Sequence, residues 1–188
     1  MNTDTKSTLL KVTRELIDSK GIGAVSMREV GRKSGLSRTA LYRHFDGKQS
    51  LLAAIVNEDF EILLAGMIEL EKFPASPRQL LALMLTSYYS FGQKSPDHYQ
   101  LMFHDHWDPE IYPEIKEVAS GLFRKTAEYV YNALKESGSE KYTPQETTAV
   151  LFAFIHGLVE LHLAGHNEKE KGLDDPDLLI NRMIDYTV

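Results

Sequence analysis

Residues 26–52, reading SMREVGRKSGLSRTALYRHFDGKQSLL, constrain the fold more than any other part of the chain. Val30 and Gly31 fall on a first short helix, and Gly35 follows where the chain must turn sharply. Leu36, Leu41 and Phe45 continue the apolar face. Two short helices crossing steeply need a small residue at the close approach, a glycine in the turn and apolar residues between them. Gly31, Gly35 and the set Val30, Leu36 and Leu41 supply these three, which predicts a helix-turn-helix. The polar side chains left facing outward are Arg28, Arg32, Lys33, Ser37, Arg38, Thr39, Tyr42, Arg43 and His44. A basic surface rich in hydrogen-bond donors suits the major groove of DNA.

Charge is unevenly spread. Residues 1–52 hold ten Lys/Arg and five Asp/Glu, a balance of +5, and residues 53–188 hold eleven against twenty-two, a balance of −11, giving −6 in all. The acidic total alone would speak against a nucleic-acid binder, whereas the split describes a small basic module on a larger acidic body. Phosphate would repel that body and so help turn the basic end toward DNA. The chain has no cysteine, which excludes disulfides and thiolate metal sites. The opening MNTDTKSTLL lacks the apolar run of a secretion signal. The longest uninterrupted apolar stretch, 149–155, is far short of the ~20 residues that span a bilayer. A soluble cytoplasmic protein with no membrane partner is therefore expected.

The pattern predicts an all-α chain of about nine helices with no sheet. Five of the seven prolines follow a capping side chain: Ser76-Pro77, Ser95-Pro96, Asp108-Pro109, Thr143-Pro144 and Asp175-Pro176. A capping residue before proline is a helix-start signature. Thr143 with Glu146 also fits a capping box. Gly21, Gly138 and Gly172 supply stops. The expected helices are 4–20, 27–34, 38–44, 48–72, 77–93, 96–104, 109–136, 144–166 and 175–186. We draw the functional boundary at residue 48, giving a three-helix DNA-binding domain at 1–47 and a larger helical ligand-binding and dimerisation domain at 48–188.

The run Gly35-Leu36-Ser37, Arg38-Thr39-Ala40, Leu41-Tyr42, His44-Phe45, Lys48 and Leu51 resembles the DNA-binding domain of tetracycline-repressor-like (TetR) transcription regulators. The match covers residues 5–55 at fixed spacing. It departs at Gly31, where the family usually carries alanine, at a cost of about 1 kcal/mol in helix propensity. Tyr88-Tyr89, Pro96, the segment from Tyr99 to Phe103, Phe152 and His156-Gly157-Leu158 resemble a subgroup with a Trp…His-Gly signature, with Phe152 in the tryptophan position. The resemblance implies an all-helical homodimer. It also implies operator binding through the third helix and release by a small ligand in the C-terminal domain.

Individual residues carry more than one reading. Ser37 is read as the cap of the recognition helix, either with a phosphate contact or with no role toward DNA. Arg38 and Thr39 stand at the start of the recognition helix, where side chains reach base edges. Arg38 is read as a base contact against a phosphate-only role, and the resemblance makes Tyr42 a backbone contact. Arg43, His44 and Lys48 are read as phosphate contacts, and Arg28 as a phosphate contact or a solvated arginine. Candidate ligand-binding residues are Tyr88, Phe91, Met102, Phe103, Trp107, Phe123, Phe152 and His156, with a satisfied core histidine as the alternative for His156. Helix 144–166 is apolar almost all round and must be covered on more than one side. Its small stripe of Ala149, Ala153, Gly157 and Ala164, with Glu160 between and Leu179 and Met183 on the last helix, is the candidate dimer interface.

His104, His106, Asp105 and Asp108, and the i,i+4 pair His162 and His166, are weighed as metal ligands and set aside, since a helix N-cap explains Asp108 and i,i+2 histidines point to different faces of a helix. No metal, cofactor or catalytic residue is assigned. The expectation is a dimeric transcriptional repressor of double-stranded, near-palindromic operator DNA, released by a small hydrophobic effector. A ligand-independent structural DNA binder and a metal-dependent hydrolase are the alternatives.

Overall fold

The computed structural model describes residues 3–188, with side chains from Thr5 onward. Met1 and Asn2, at the head of the 1–47 domain and of the segment read for a signal, lie outside the described residues. Among the described residues there are nine α-helices and no strand. They are α1 (Thr3–Lys20), α2 (Met27–Ser34), α3 (Arg38–Tyr42), α4 (Lys48–Leu70), α5 (Pro77–Lys94), α6 (Pro96–Phe103), α7 (Pro113–Ser137), α8 (Pro144–Leu163) and α9 (Pro176–Thr187).

The chain divides into two compact units: residues 1–61 with 97–118, and residues 62–96 with 119–188. In the first unit α1 packs on α2 and α2 on α3. Its core holds Leu9, Leu16 and Ile17 of α1, Val30 of α2, Leu41 of α3 and Leu51, Ile55 and Val56 of α4, all fully or almost fully buried. In the second unit α5, α8 and α9 pack against one another. Leu81, Leu151, Ile155, Val159, Ile180 and Ile184 form its centre.

Three of the expected caps close as the chemistry demands. Ser76 and Thr143 make capping boxes with Gln79 and Glu146, and Asp175 accepts the Leu178 N–H, each followed by proline in the first turn. Asp108-Pro109 does not start a helix: α7 begins four residues later, at Pro113. Asp108 instead accepts from the Glu110 N–H through its side chain and from the Ile111 and Tyr112 N–H groups through its carbonyl. Pro113 disfavours helical geometry at Tyr112, so a helix begun at Pro109 could not run through it. Helix α8 ends at Leu163 and not at 166. Gly165 adopts φ +83°, and the His166 N–H bonds back to the Leu161 carbonyl at 2.8 Å, a Schellman ending. Helix α3 is shorter than expected because Arg43 and His44 already form the turn out of it.

By length and composition, α8 is the one helix among the described residues that could cross a membrane. It carries Glu146 and Glu160 and packs against α5 and α9.

Candidate functional site

The geometry around α2 and α3 follows from a few small and polar residues. Ser26 caps α2 by accepting the Glu29 N–H, and Gly35 ends it at φ +68°, a left-handed conformation that favours glycine. Ser37 then accepts the Ala40 N–H at 3.2 Å and starts α3. A Cβ at Gly31 would lie 3.7 Å from the Leu36 carbonyl and 3.8 Å from the Leu41 side chain. The helices therefore meet closely at Gly31, with room for one methyl.

Seven of the eight candidate DNA contacts, namely Arg28, Ser37, Arg38, Thr39, Tyr42, Arg43 and Lys48, are exposed, and His44 is half-buried. The Arg38 guanidinium stands over the Tyr42 ring, 5.4 Å from its centroid. The stack holds an extended donor fork on the face of α3. Arg28, Arg32, Arg38 and Tyr42 line a cleft of about 420 Å³ floored by Met27, Gly31 and Leu36. Arg32 is bound on both sides by Glu29, at 2.9 and 2.6 Å, and each partner favours the other's charged form. Lys48 reaches back to the Ile22 carbonyl at 3.4 Å, which ties the start of α4 to the turn after α1. A second groove of about 540 Å³ joins His44, Gln49 and Ser50 to Lys6 of α1. Only the folded chain brings Lys6 of α1 to the same groove as His44, so the sequence alone did not point to it.

Four of the eight candidate ligand residues come together in the second unit. The Tyr88 hydroxyl and His156 Nε2 are hydrogen-bonded at 2.9 Å. The Phe152 ring lies 4.3 Å from that of His156, and Phe123 meets Phe152 edge-on at 5.9 Å. Phe91 is half-buried on α5. Met102, Phe103 and Trp107 belong to the first unit. There Phe103 packs edge-on against Phe60 at 5.6 Å, and the Trp107 indole N–H donates to the Leu101 carbonyl at 2.9 Å.

One face of α8 has no cover within its own unit. Ala149, Val150, Ala153, Gly157, Leu161 and Ala164 are exposed, and a Cβ at Gly157 would meet nothing within 4 Å. Glu160, Leu179 and Met183 are half-buried, and Leu178 and Tyr186 add exposed apolar surface on α9. His166 lies beyond the helix, so the i,i+4 pairing expected with His162 does not form, and His162 Nδ1 instead faces the Tyr89 hydroxyl. Among the described residues no three His, Asp or Glu side chains gather as a metal would require.

Comparison with known proteins decides what this arrangement belongs to. Residues 9–55 match the family described as bacterial regulatory proteins, tetR family, and residues 81–187 match the tetracyclin repressor-like C-terminal domain. The chain belongs to the tetR family. Among similar proteins, the HTH-type transcriptional activator FasR of Mycolicibacterium smegmatis is 24% identical over 57% of this chain and 50% of its own length. The uncharacterized HTH-type transcriptional regulator YuxN of Bacillus subtilis is 21% identical over 94% of this chain and 61% of its own. The chain thus spans about half to three-fifths of these relatives. Among solved structures, the FadR regulator of Bacillus subtilis in complex with stearoyl-CoA superposes with a TM-score of 0.73 at 15% identity, covering 97% of each chain. A TetR/AcrR-family regulator from Thermobifida fusca gives 0.76 at 20% identity over 96% of each chain. In this TetR-family chain, α2 and α3 are the helix-turn-helix and α3 occupies the recognition position.

Proposed function

We propose that this protein is a cytoplasmic, dimeric, non-enzymic transcriptional repressor that leaves its operator when a small hydrophobic ligand binds the C-terminal region. The observation that carries the reading is the exposed row of Arg28, Arg38, Thr39, Tyr42 and Arg43 on a capped helix-turn-helix. Arg38 reads a base edge, and Lys48 and Arg43 hold phosphate. Residues 1–47 form the functional DNA-binding part and residues 48–188 the regulatory part. This division follows function, whereas the compact units follow packing.

The exposed small-residue face of α8, with α9 beside it, supports a two-fold dimer. Such a dimer would present two recognition helices to half-sites one helical turn apart, ~34–36 Å. Ligand binding favours a dimer in which that spacing is wrong, and the coupling is reciprocal: operator binding weakens the ligand by the same factor. Helix α4, which contributes residues to both units, carries the shift.

Tyr88, Phe123, Phe152 and His156 combine aromatic surface with two polar atoms, which suits a lipophilic molecule anchored by one or two hydrogen bonds. The stearoyl-CoA held by the FadR structure makes long acyl chains, free and as CoA esters, the first probes. The test is selection of duplexes from random DNA, followed by release with these probes. Recovery of a site with two inverted half-sites, released by acyl compounds from wild type and less readily from His156→Ala, is expected. Release only by sugars or other highly polar compounds would overturn the ligand assignment, and failure to select any duplex would overturn the whole.

A further inference from the structure

Three guanidinium groups line the cleft between α2 and α3, those of Arg28, Arg32 and Arg38. Among the described residues, Arg32 alone of the three is paired with a carboxylate. Glu29 meets it with both oxygens: Oε2 lies 2.9 Å from Nε and Oε1 lies 2.6 Å from Nη2. The Arg32 side chain is 65% exposed and that of Glu29 27%. Arg38, by contrast, is held over the Tyr42 ring and keeps its full charge toward solvent.

The place of Glu29 in its helix gives the pairing its meaning. Glu29 is the third residue of α2, and Ser26 caps the helix by accepting the Glu29 N–H at 3.2 Å. In α5 and α8 the residue at the same position turns its side chain back to the cap. Gln79 accepts the Ser76 N–H and Glu146 accepts the Thr143 N–H, each at 2.9 Å. Glutamate or glutamine there closes a capping box. In α2 both Glu29 oxygens go to Arg32 instead. An exposed ion pair three residues apart on a helix adds little to the stability of a fold. Its larger effect is on charge, since it neutralises a guanidinium beside the recognition helix.

We propose that Glu29 limits affinity for DNA by withholding Arg32 from the phosphate backbone. The carboxylate counts against the backbone in either arrangement. While paired, Arg32 turns two of its donors to Glu29 and brings no net charge to the cleft. Drawn onto a phosphate, it leaves Glu29 unpaired beside that phosphate, within the ~10 Å over which charges interact at 0.1 M salt. The contact withheld is sequence-blind, because phosphates position a protein while base edges specify the site. Its consequence is regulatory. An effector shifts affinity by roughly 5–150-fold, so a complex short of one backbone contact per subunit is one that an effector can empty. The inference rests on the DNA-binding reading above.

The test uses the full chain as wild type, Glu29→Gln, Arg32→Gln and the two substitutions together. Each is titrated with a selected operator and with a duplex of unrelated sequence across a range of salt. Glutamine also closes a capping box, so Glu29→Gln keeps the start of α2. Thermal unfolding checks that each protein folds, and Glu29→Ala repeats the removal of charge without an amide. The pair is neutral in wild type and in the double variant, gains a positive charge in Glu29→Gln and a negative one in Arg32→Gln. Glu29→Gln should therefore bind both duplexes several-fold more tightly than wild type, the double variant like wild type, and Arg32→Gln several-fold more weakly. The salt slope of Glu29→Gln should steepen by about one for each bound subunit. If Arg32 already holds phosphate in wild type, the double variant falls to the level of Arg32→Gln and Glu29→Gln leaves the slope unchanged, which overturns the proposal. Equal affinities and slopes in all four proteins overturn it as well, and leave the pair a structural role only. If wild type binds neither duplex, the DNA-binding reading fails and this inference falls with it.

Discussion

Substituting Gly157 by glutamate should move the subunit and the dimer in opposite directions. Gly157 lies inside α8, it is exposed, and a Cβ there meets nothing within 4 Å. The substitution costs no steric strain within its own chain. It also replaces a glycine in a helix interior by a good helix former, worth about 0.5–1 kcal/mol of added stability. In a two-fold dimer built on this face the same carboxylate is buried on both sides of the axis. An unpaired buried charge of this kind costs about 3–5 kcal/mol. A loss of 3 kcal/mol alone raises the dimer dissociation constant by about two orders of magnitude. Sedimentation equilibrium over a range of concentrations reads the dissociation constant, and urea unfolding of the dilute variant reads the subunit. A monomer at least as stable as a wild-type subunit is expected. Dimers of unchanged strength would refute the interface, and a destabilised subunit would refute the claim that Gly157 is uncovered within its own chain.

Two further outcomes test the local geometry. Gly35→Ala places a side chain at φ +68° where space is open, so it should destabilise the first unit by about 1–2 kcal/mol through backbone strain alone, read by thermal unfolding. Thr143→Ala should cost about 1 kcal/mol by opening the α8 capping box. Glu146 is held below the ordinary carboxylate range by hydrogen bonds from the Thr143 backbone and hydroxyl, so its contribution is complete above the unfolded-state value and lost as pH falls through the folded one. Glu146→Gln should therefore lower stability slightly at neutral pH, leave it little changed in acid, and so flatten the acid-side slope.

What could be read in the sequence was local. The helix-turn-helix sits in one short segment, and glycine, cap and apolar spacing each leave a mark there. The start of α7 was misplaced because Asp108-Pro109 carries a cap signature that Pro113, four residues on, prevents from being used. The end of α8 was misplaced because Gly165 was not read as a stop. The candidate effector residues divide between the two units because apolar periodicity marks burial but not which core receives it. Tyr88, Phe123, Phe152 and His156 meet, while Phe103 packs with Phe60, Trp107 with Leu101 and Tyr112, and Met102 is buried in the first unit. A cluster of Arg14, Asp59 and His98 leaves no mark in the sequence, since its members lie 45 and 39 residues apart and meet only when α1, α4 and α6 pack.

The central claim, that α3 reads bases while the start of α4 holds phosphate, is tested most directly by one titration series. Wild type, Arg38→Ala and Lys48→Ala are each titrated with the selected operator, with point-changed operators and with random duplex across a range of salt. Arg38→Ala should lose about 1–3 kcal/mol on the operator and relax preference at one position per half-site. Lys48→Ala should weaken all sequences alike and reduce the salt slope by about one. Equal losses on operator and random DNA for both substitutions, with unchanged salt slopes, would contradict it.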